Sequence, residues 1–273
     1  MKATRFTDSV THQGEGPVWW ATTGELRFVD LLHGAVVAFT PADETYHLPV
    51  DSPVAAVLRP RVGGGAIVAR ELDIALARAE DLSDLAPCTP PFVPAGQRLN
   101  EGGCDPDDAV TTPAVATPTV VIPTVVIPDV TISNGLGWSP DGARAYYIDT
   151  PTRTVSLLDY SRDAGLTDRR PWVVPPEEAG RPDGLTVDAE GGVWVALNGG
   201  SAVHRYDDAG RLSAVVEVGA RKVTACAFGG RDLDTLFITT SREDLAPDEE
   251  PAAGSLYAVA PGVRGLPPLP FRG

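Results

Sequence analysis

The sequence predicts an all-β protein: a six-bladed β-propeller forming a single domain over residues 1–273, with one blade (about 100–133) truncated or irregular. Three observations carry this reading. A unit recurs in which a polar opener precedes an apolar run, a turn and a second apolar run. The openers Glu15, Ser52, Asn100, Asn134, Asp183 and Thr224 recur on average every ~42 residues, the period of a four-stranded blade. Within each unit apolar residues alternate around Gly- or Asp-Gly-bearing turns, as in β-hairpins, and no long segment sustains helical periodicity. The chain also carries 28 Gly and 26 Pro at 43% hydrophobic residues, which suits a turn-rich fold with a sizeable core.

The units can be followed in order. Glu15 opens GPVWW, the turn 21–24 and a strand Glu25–Asp30. Ser52 opens PVAAVLRPR, with Gly63, Gly64 and Gly65 as its turn. Asn134 opens GLGWS, the turn at Pro140, Asp141 and Gly142, and a strand ending at Asp149. Asp183 opens GLTVD, the turn 189–192 and a strand ending at Asn198, and Thr224 opens ACAFG, a turn around Gly230 and a strand ending at Thr240. The bulky residue four places on, Trp19, Trp138, Val187 or Phe228, suits a buried inner strand. The best helix candidate, Arg70–Leu85, reads as an outer strand followed by a loop.

Composition narrows the function. A formal net charge of −15 and pI ≈ 4.6 repel phosphates, so no nucleic-acid partner is expected. No apolar run reaches membrane-spanning length and no signal-peptide core stands near Met1, so the expectation is no membrane partner and a cytoplasmic enzyme, monomeric or weakly self-associating. Cys88, Cys104 and Cys226 are odd in number and lack CxxC spacing, which argues against a disulfide framework. There is no GxSxG elbow, HExxH helix or phosphate-binding GxxxxGK[ST]. His12, three residues before Glu15, is read as structural or solvated.

The openers carry the chemistry. An Asn-Gly or Asp-Gly pair alone reads as a turn, but each unit already has its own turn downstream. In a closed ring equivalent positions converge on the axis. Oxygen-bearing side chains from several units converging there would form a hard cation site. Carboxylates buried there without a partner would be costly.

The stretches GEGPVWW, RLNEGGCDP, TISNGLGWSPDGARAYYIDT, RPDGLTVDAEGGVWVAL, TACAFGGRDLDTLFITT and GSLYAVAPGVRGLPPLPF resemble, in order and over nearly the whole chain, the senescence marker protein-30, gluconolactonase and luciferin-regenerating enzyme family. The resemblance implies a six-bladed propeller with one divalent cation near its axis and hydrolysis of a sugar lactone to the aldonic acid. By resemblance Glu15, Asn134 and Asp183 take the metal-ligand positions, and Arg98 and Asn100 the substrate-contacting ones. The repeats reach Glu15, Asn134, Asp183 and Asn100 on their own; Arg98 rests on the resemblance alone. Asp183 is the candidate general base. Oxygen-only ligation favours calcium, with manganese, magnesium or zinc also compatible. Two other classes stay open: a cation-binding propeller with little or no catalysis, and a hydrolase of phosphoesters or organophosphates.

One stretch departs from the family. Where a strand and hairpin are expected after Cys104, the chain reads DDAVTTPAVATPTVVIPTVVIPDV, with Thr-Val-Val-Ile-Pro in tandem and proline every five residues from Pro113 to Pro128. Proline cannot donate to a ladder, and a five-residue period conflicts with a strand's alternation. The expectation is a surviving inner strand near Asn100–Cys104, then an irregular crossing with at most one short edge strand. The acidic residue that the family carries on the missing strand has no counterpart that can be named.

Overall fold

The computed structural model describes all residues except 41, 43, 108–109, 113–114, 118–126, 247 and 273, and not the side chains of 110–112 and 115–117. Strand β1 (Thr4–Ser9) leads into a first blade of β2 (Gly14–Trp20), β3 (Glu25–Asp30), β4 (Ala35–Phe39) and β5 (Thr45–Pro49). The second is β6 (Ala55–Pro60), β7 (Ala66–Arg70), β8 (Ile74–Ala77) and β9 (Ala86–Pro87). A sheet of β10 (Gly103–Cys104), β11 (Val110–Thr112) and β12 (Val115–Thr117) follows. Then come β13 (Ser133–Trp138), β14 (Arg144–Asp149), β15 (Thr154–Ser161) and β16 (Gly165–Val173), and a further blade of β17 (Arg181–Val187), β18 (Val193–Asn198), β19 (Ala202–Tyr206) and β20 (Leu212–Glu217). The last blade is β21 (Val223–Gly229), β22 (Thr235–Thr240) and β23 (Ser255–Val259), with β1 as its outer strand.

The fold is an all-β propeller, but among the described residues it has five complete four-stranded blades rather than six. Of the residues expected to form the remaining blade, those described give the three-stranded sheet β10-β11-β12. Its hairpin strands are confined to proline-free triplets, Val110–Thr112 before Pro113 and Val115–Thr117 before Pro118. That is one short strand more than the proline spacing suggested. The inner strand is shorter than expected, since Asn100 lies outside it. The tandem pentapeptide falls outside the described residues up to Val126; Ile127 is buried against Leu136, Trp138 and Tyr147.

The predicted hairpins are present. Strands β3, β14, β18 and β22 end at Asp30, Asp149, Asn198 and Thr240, and Arg70–Leu85 holds β8 rather than a helix. Among the described residues the only helical pieces are three 3-10 turns, and no helix is long and apolar enough to cross a membrane. The core lies between neighbouring blades. Tyr146, Ile148 and Val155 of one blade pack on Leu185, Val193 and Val195 of the next, and Trp194 and Val203 pack on Cys226, Phe228 and Ile238. Trp138, Val187 and Phe228 are buried as expected. Trp19 is only half-buried; its neighbour Trp20 takes the buried place, under the Arg27 guanidinium.

Candidate functional site

Each complete blade breaks its ladder at the same point. The register of the inner strand shifts between Glu15 and Val18, Ala55 and Val57, Asn134 and Leu136, Pro182 and Leu185, and Val223 and Ala225. A bulge at the start of a strand re-aims a side chain that would otherwise point into the sheet. The recurring opener is therefore a bulge, and the glycine after it serves the packing around the axis. A Cβ on Gly135 would lie 2.9 Å from the Asp183 carbonyl oxygen, and one on Gly184 would lie 2.8 Å from that of Thr224. Gly16 has a different reason, a φ of +51°, which costs a side chain that glycine lacks.

The residues leading into two of these strands are clamped alike. The buried Asp30 carboxylate accepts from the backbone N–H of His12 and Gln13, both at 3.0 Å. Asp149 does the same for Thr131 at 3.0 Å and Ile132 at 2.9 Å. Both acids end the second strand of their unit, so the repeat fixes Glu15 and Asn134 through matching contacts.

Glu15, Asn134 and Asp183 are all buried. Burial, reinforced by the facing charges of Asp183 and Glu101, holds the Glu15 carboxyl well above the ordinary carboxylate range, against the pull of the Gly16 N–H and of Arg98. Burial likewise raises Asp183 to about 7; the Asn198 hydrogen bond opposes this, while Glu101 and Glu243 add to it. Asn198 Nδ2 donates to Asp183 Oδ2 at 2.9 Å.

Asn134 is oriented through its amide. Its Nδ2 donates to Thr150 Oγ1 at 2.7 Å, and Thr150 Oγ1 donates onward to the Pro182 carbonyl at 2.8 Å. Asn134 Oδ1 accepts from Asn100 Nδ2 at 3.1 Å; Asn100 Nδ2 also reaches the Ser133 carbonyl at 2.7 Å. Arg98 Nη1 donates to Asn100 Oδ1 at 2.6 Å. One continuous chain of hydrogen bonds thus runs from Arg98 through Asn100, Asn134 and Thr150 to the residue before Asp183. Arg98 is exposed as a residue, yet desolvation of its guanidinium lowers its pKa despite the charges of Glu243, Glu15 and Glu71.

The structure therefore sets all five predicted residues near one another: Glu15 feels the repelling charge of Asp183 and the attracting charge of Arg98, and hydrogen bonds join Arg98 to Asn100 and Asn100 to Asn134. The other two openers have different work. Thr224 Oγ1 donates to the Gly14 carbonyl at 2.5 Å and meets Thr239 Oγ1 at 2.9 Å, tying the last blade to the first. Ser52 precedes its strand, accepting from the Val54 and Glu71 N–H groups; the bulge of that blade starts at Ala55. His12 packs on His33 instead of joining the site.

Two acids were missed. Glu101 is buried, accepts from the Gly102 N–H at 2.7 Å and lies 4.0 Å from Arg59; the Glu-Gly pair after Asn100 was its signal. Glu243, on the loop after β22, carried no sequence signal. Among the described residues no three His, Cys, Asp or Glu side chains gather closely enough to hold a metal ion, so a cation here would need the Asn134 amide as well. The donor set fits a hard cation: oxygens only, with two buried carboxylates whose charge Arg98 only partly offsets.

A profile described as "SMP-30/Gluconolactonase/LRE-like region" matches residues 13–242. Regucalcin of Oryctolagus cuniculus is 32% identical over 96% of this chain and 95% of its own length. Pentonolactonase XacC of Haloferax volcanii is 32% identical over 98% of this chain and 97% of its own. Among solved structures, a calcium-binding regucalcin from Agrobacterium tumefaciens superposes with a TM-score of 0.90 at 22% identity, covering 100% of this chain and 98% of that one.

Proposed function

The chain belongs to the SMP-30/gluconolactonase/LRE-like family, and from that premise we propose that it hydrolyses a sugar lactone to the open-chain aldonic acid with the help of one divalent cation, calcium in the first instance. The observation that carries the proposal is the set of matching bulges that gathers Glu15, Asn134 and Asp183, two of them carboxylates buried against each other's charge. Glu15, Asn134 Oδ1 and Asp183 would hold the cation. When bound, it supplies Lewis acidity to a carbonyl oxygen and acidity to a water molecule.

The chain's own residues do the rest. Asp183 has Oδ2 engaged by Asn198, so Oδ1 takes the proton of the attacking water. Arg98, held by Asn100, directs its remaining N–H groups at substrate oxygens. Asn100 and Thr150 fix which end of the Asn134 amide faces the site. A pH-indicator assay against five- and six-carbon aldonolactones, with and without chelator, tests the reading. Chelator-sensitive acid release is expected, lost in Asp183→Ala and restored by no added ion. Cation affinity unchanged in both Asp183→Ala and Asn134→Ala, measured by calorimetry, would sink the ligand assignment.

The three-stranded sheet β10-β11-β12 favours a second reading, a propeller that binds the cation without turnover. In that case every lactone of the panel stays intact while calorimetry still finds the cation bound.

A further inference from the structure

The connection between the second and third strands of each complete blade lies on the same face of the ring as the openers. The ladders pair Gly14 with Asp30, Ser133 with Asp149, Arg181 with Asn198 and Val223 with Thr240, so the second strands end where the inner strands begin. In four blades this connection is short, residues 31–34, 71–73, 150–153 and 199–201. In the last blade it runs from 241 to 254. Loops of that length inside a compact domain are uncommon and usually functional.

The first residues of the long loop are fixed beside the candidate ligands. Ser241 bridges to Gln13, two residues before Glu15, and Arg242 N–H donates to the His12 carbonyl at 2.8 Å. On the other side Ser241 N–H donates to the Lys222 carbonyl at 3.0 Å, and Lys222 bridges to Asn198, the partner of Asp183 Oδ2. Glu243 is then held through its backbone. Its N–H donates to Ser241 Oγ at 3.0 Å, and its carbonyl accepts from Lys222 Nζ. Farther along, Arg221 grips Glu249 and, at 3.1 Å, Glu250. Glu243 therefore follows directly on a residue pinned between the segment entering Glu15 and the one beside Asn198.

Its carboxylate has unused capacity there. Glu243 is half-buried, and among the described residues its side chain has no hydrogen-bond or ion-pair partner. Its charge nevertheless reaches the site. Desolvation lowers the Arg98 pKa, and Glu243 stands first among the charges opposing that, ahead of Glu15 and Glu71. Yet Arg98 and Glu243 do not close into an ion pair like Arg70–Asp73 or Arg205–Asp188, both at 2.7 Å. Arg98 Nη1 is spent on Asn100 Oδ1 and, at 3.1 Å, on the Leu99 carbonyl. A guanidinium and a carboxylate that feel each other without touching leave room for a hydroxyl, which donates to the carboxylate and accepts from the guanidinium.

We propose that Glu243 is a specificity-determining residue of the candidate site: its carboxylate accepts from a hydroxyl of the lactone while Arg98 donates to the same or the adjacent oxygen, so that hydroxylated lactones are preferred over bare ones. This role rests on the site holding a lactone, as proposed above. In that reading Glu15 and Asp183 are committed to the cation. Glu101 is engaged by the Gly102 N–H and stands 4.0 Å from Arg59. Glu243 is the acid left to read hydroxyls.

Binding of non-hydrolysable lactams separates recognition from turnover. With calcium present, calorimetry should find D-glucono-1,5-lactam bound more tightly than δ-valerolactam, which has the same ring amide and no hydroxyl. Glu243→Ala should shrink that preference about tenfold, the lower end of what a hydrogen bond to a charged group is worth. Glu243→Gln, whose amide oxygen still accepts, should retain part of it. A preference unchanged in Glu243→Ala, a loss shared equally by both lactams, or no lactam bound by the parent chain would overturn the role. Hydrolysis of glucono-1,5-lactone, followed in parallel, keeps the two readings apart. A Glu243-dependent preference without turnover supports the role and removes the lactonase reading. Turnover with an unchanged preference in Glu243→Ala does the reverse.

Discussion

Gly184→Ala is the sharpest test of how the axis is packed. A methyl group at Gly184 would lie 2.5 Å from Ala225 Cβ, 2.8 Å from Ala225 Cα and 2.8 Å from the Thr224 carbonyl oxygen, where carbon contacts settle near 3.5–4.0 Å. Thr224 cannot easily retreat, because its hydroxyl is committed to Gly14 and Thr239. Overpacking of a tight site costs about 1–3 kcal/mol, and with backbone atoms on the receiving side the upper end applies. Stiffening of the unfolded chain returns about 0.4–1 kcal/mol. The expected net loss is about 2 kcal/mol by urea unfolding, accompanied by weaker cation binding because Asp183 moves with its strand. Gly16→Ala is the control: the nearest atom to its added methyl is 4.0 Å away, so only the left-handed backbone costs, about 1 kcal/mol. If Gly184→Ala unfolds within 0.5 kcal/mol of the parent chain and keeps its cation affinity, the inner strands do not abut as described; the threshold is the usual scatter of neutral surface substitutions.

Three further outcomes are expected. Arg98→Ala should reduce kcat/KM by about 2 kcal/mol, the scale of one charge-assisted hydrogen bond, with calorimetric cation affinity nearly unchanged; an unfolded variant would instead mark Arg98 as a structural ion-pair partner. Thr150→Val removes both the acceptor for Asn134 Nδ2 and the donor to the Pro182 carbonyl, so cation affinity should fall while the thermal midpoint drops only modestly; equal affinity would show that Asn134 needs no such restraint. His204 is buried, and burial holds its pKa below the ordinary value. Its contribution to stability is therefore complete above the unfolded pKa of about 6.5 and is lost as pH falls through the lower folded value. Between pH 7.5 and 5 the parent chain should lose more thermal stability than His204→Gln, and parallel losses would refute the assignment.

Much of the architecture was legible because a propeller writes itself as a repeat. Turn residues and alternating apolar positions placed β3, β14, β18 and β22 with their ends at Asp30, Asp149, Asn198 and Thr240. The openers showed that Glu15, Asn134 and Asp183 were equivalent, yet not why: a bulge is a relation between two strands, and a single strand's sequence does not display it. For the same reason Ser52 was taken for an opener when Ala55 holds the place, and Trp19 for the buried tryptophan when it is Trp20. Thr224 was read as one more opener, whereas its hydroxyl joins two blades. Glu243 approaches the site from a loop whose path no periodicity encodes. The proline period announced a damaged blade, but not that the triplets between prolines would still pair.

The seam of the ring joins Thr4 to Ala258 and Arg5 to Tyr257. During synthesis β1 is made first and its place beside β23 last, so it waits without a partner while nearly the whole chain is extruded. Contacts so distant along the chain form slowly, and until then β23 offers a bare edge to any matching strand. The matching strand most abundant in a crowded refolding mixture is β1 of another copy. Dilution should therefore speed the recovery of closed single rings, while concentrated refolding should leave chains linked by exchanged first strands.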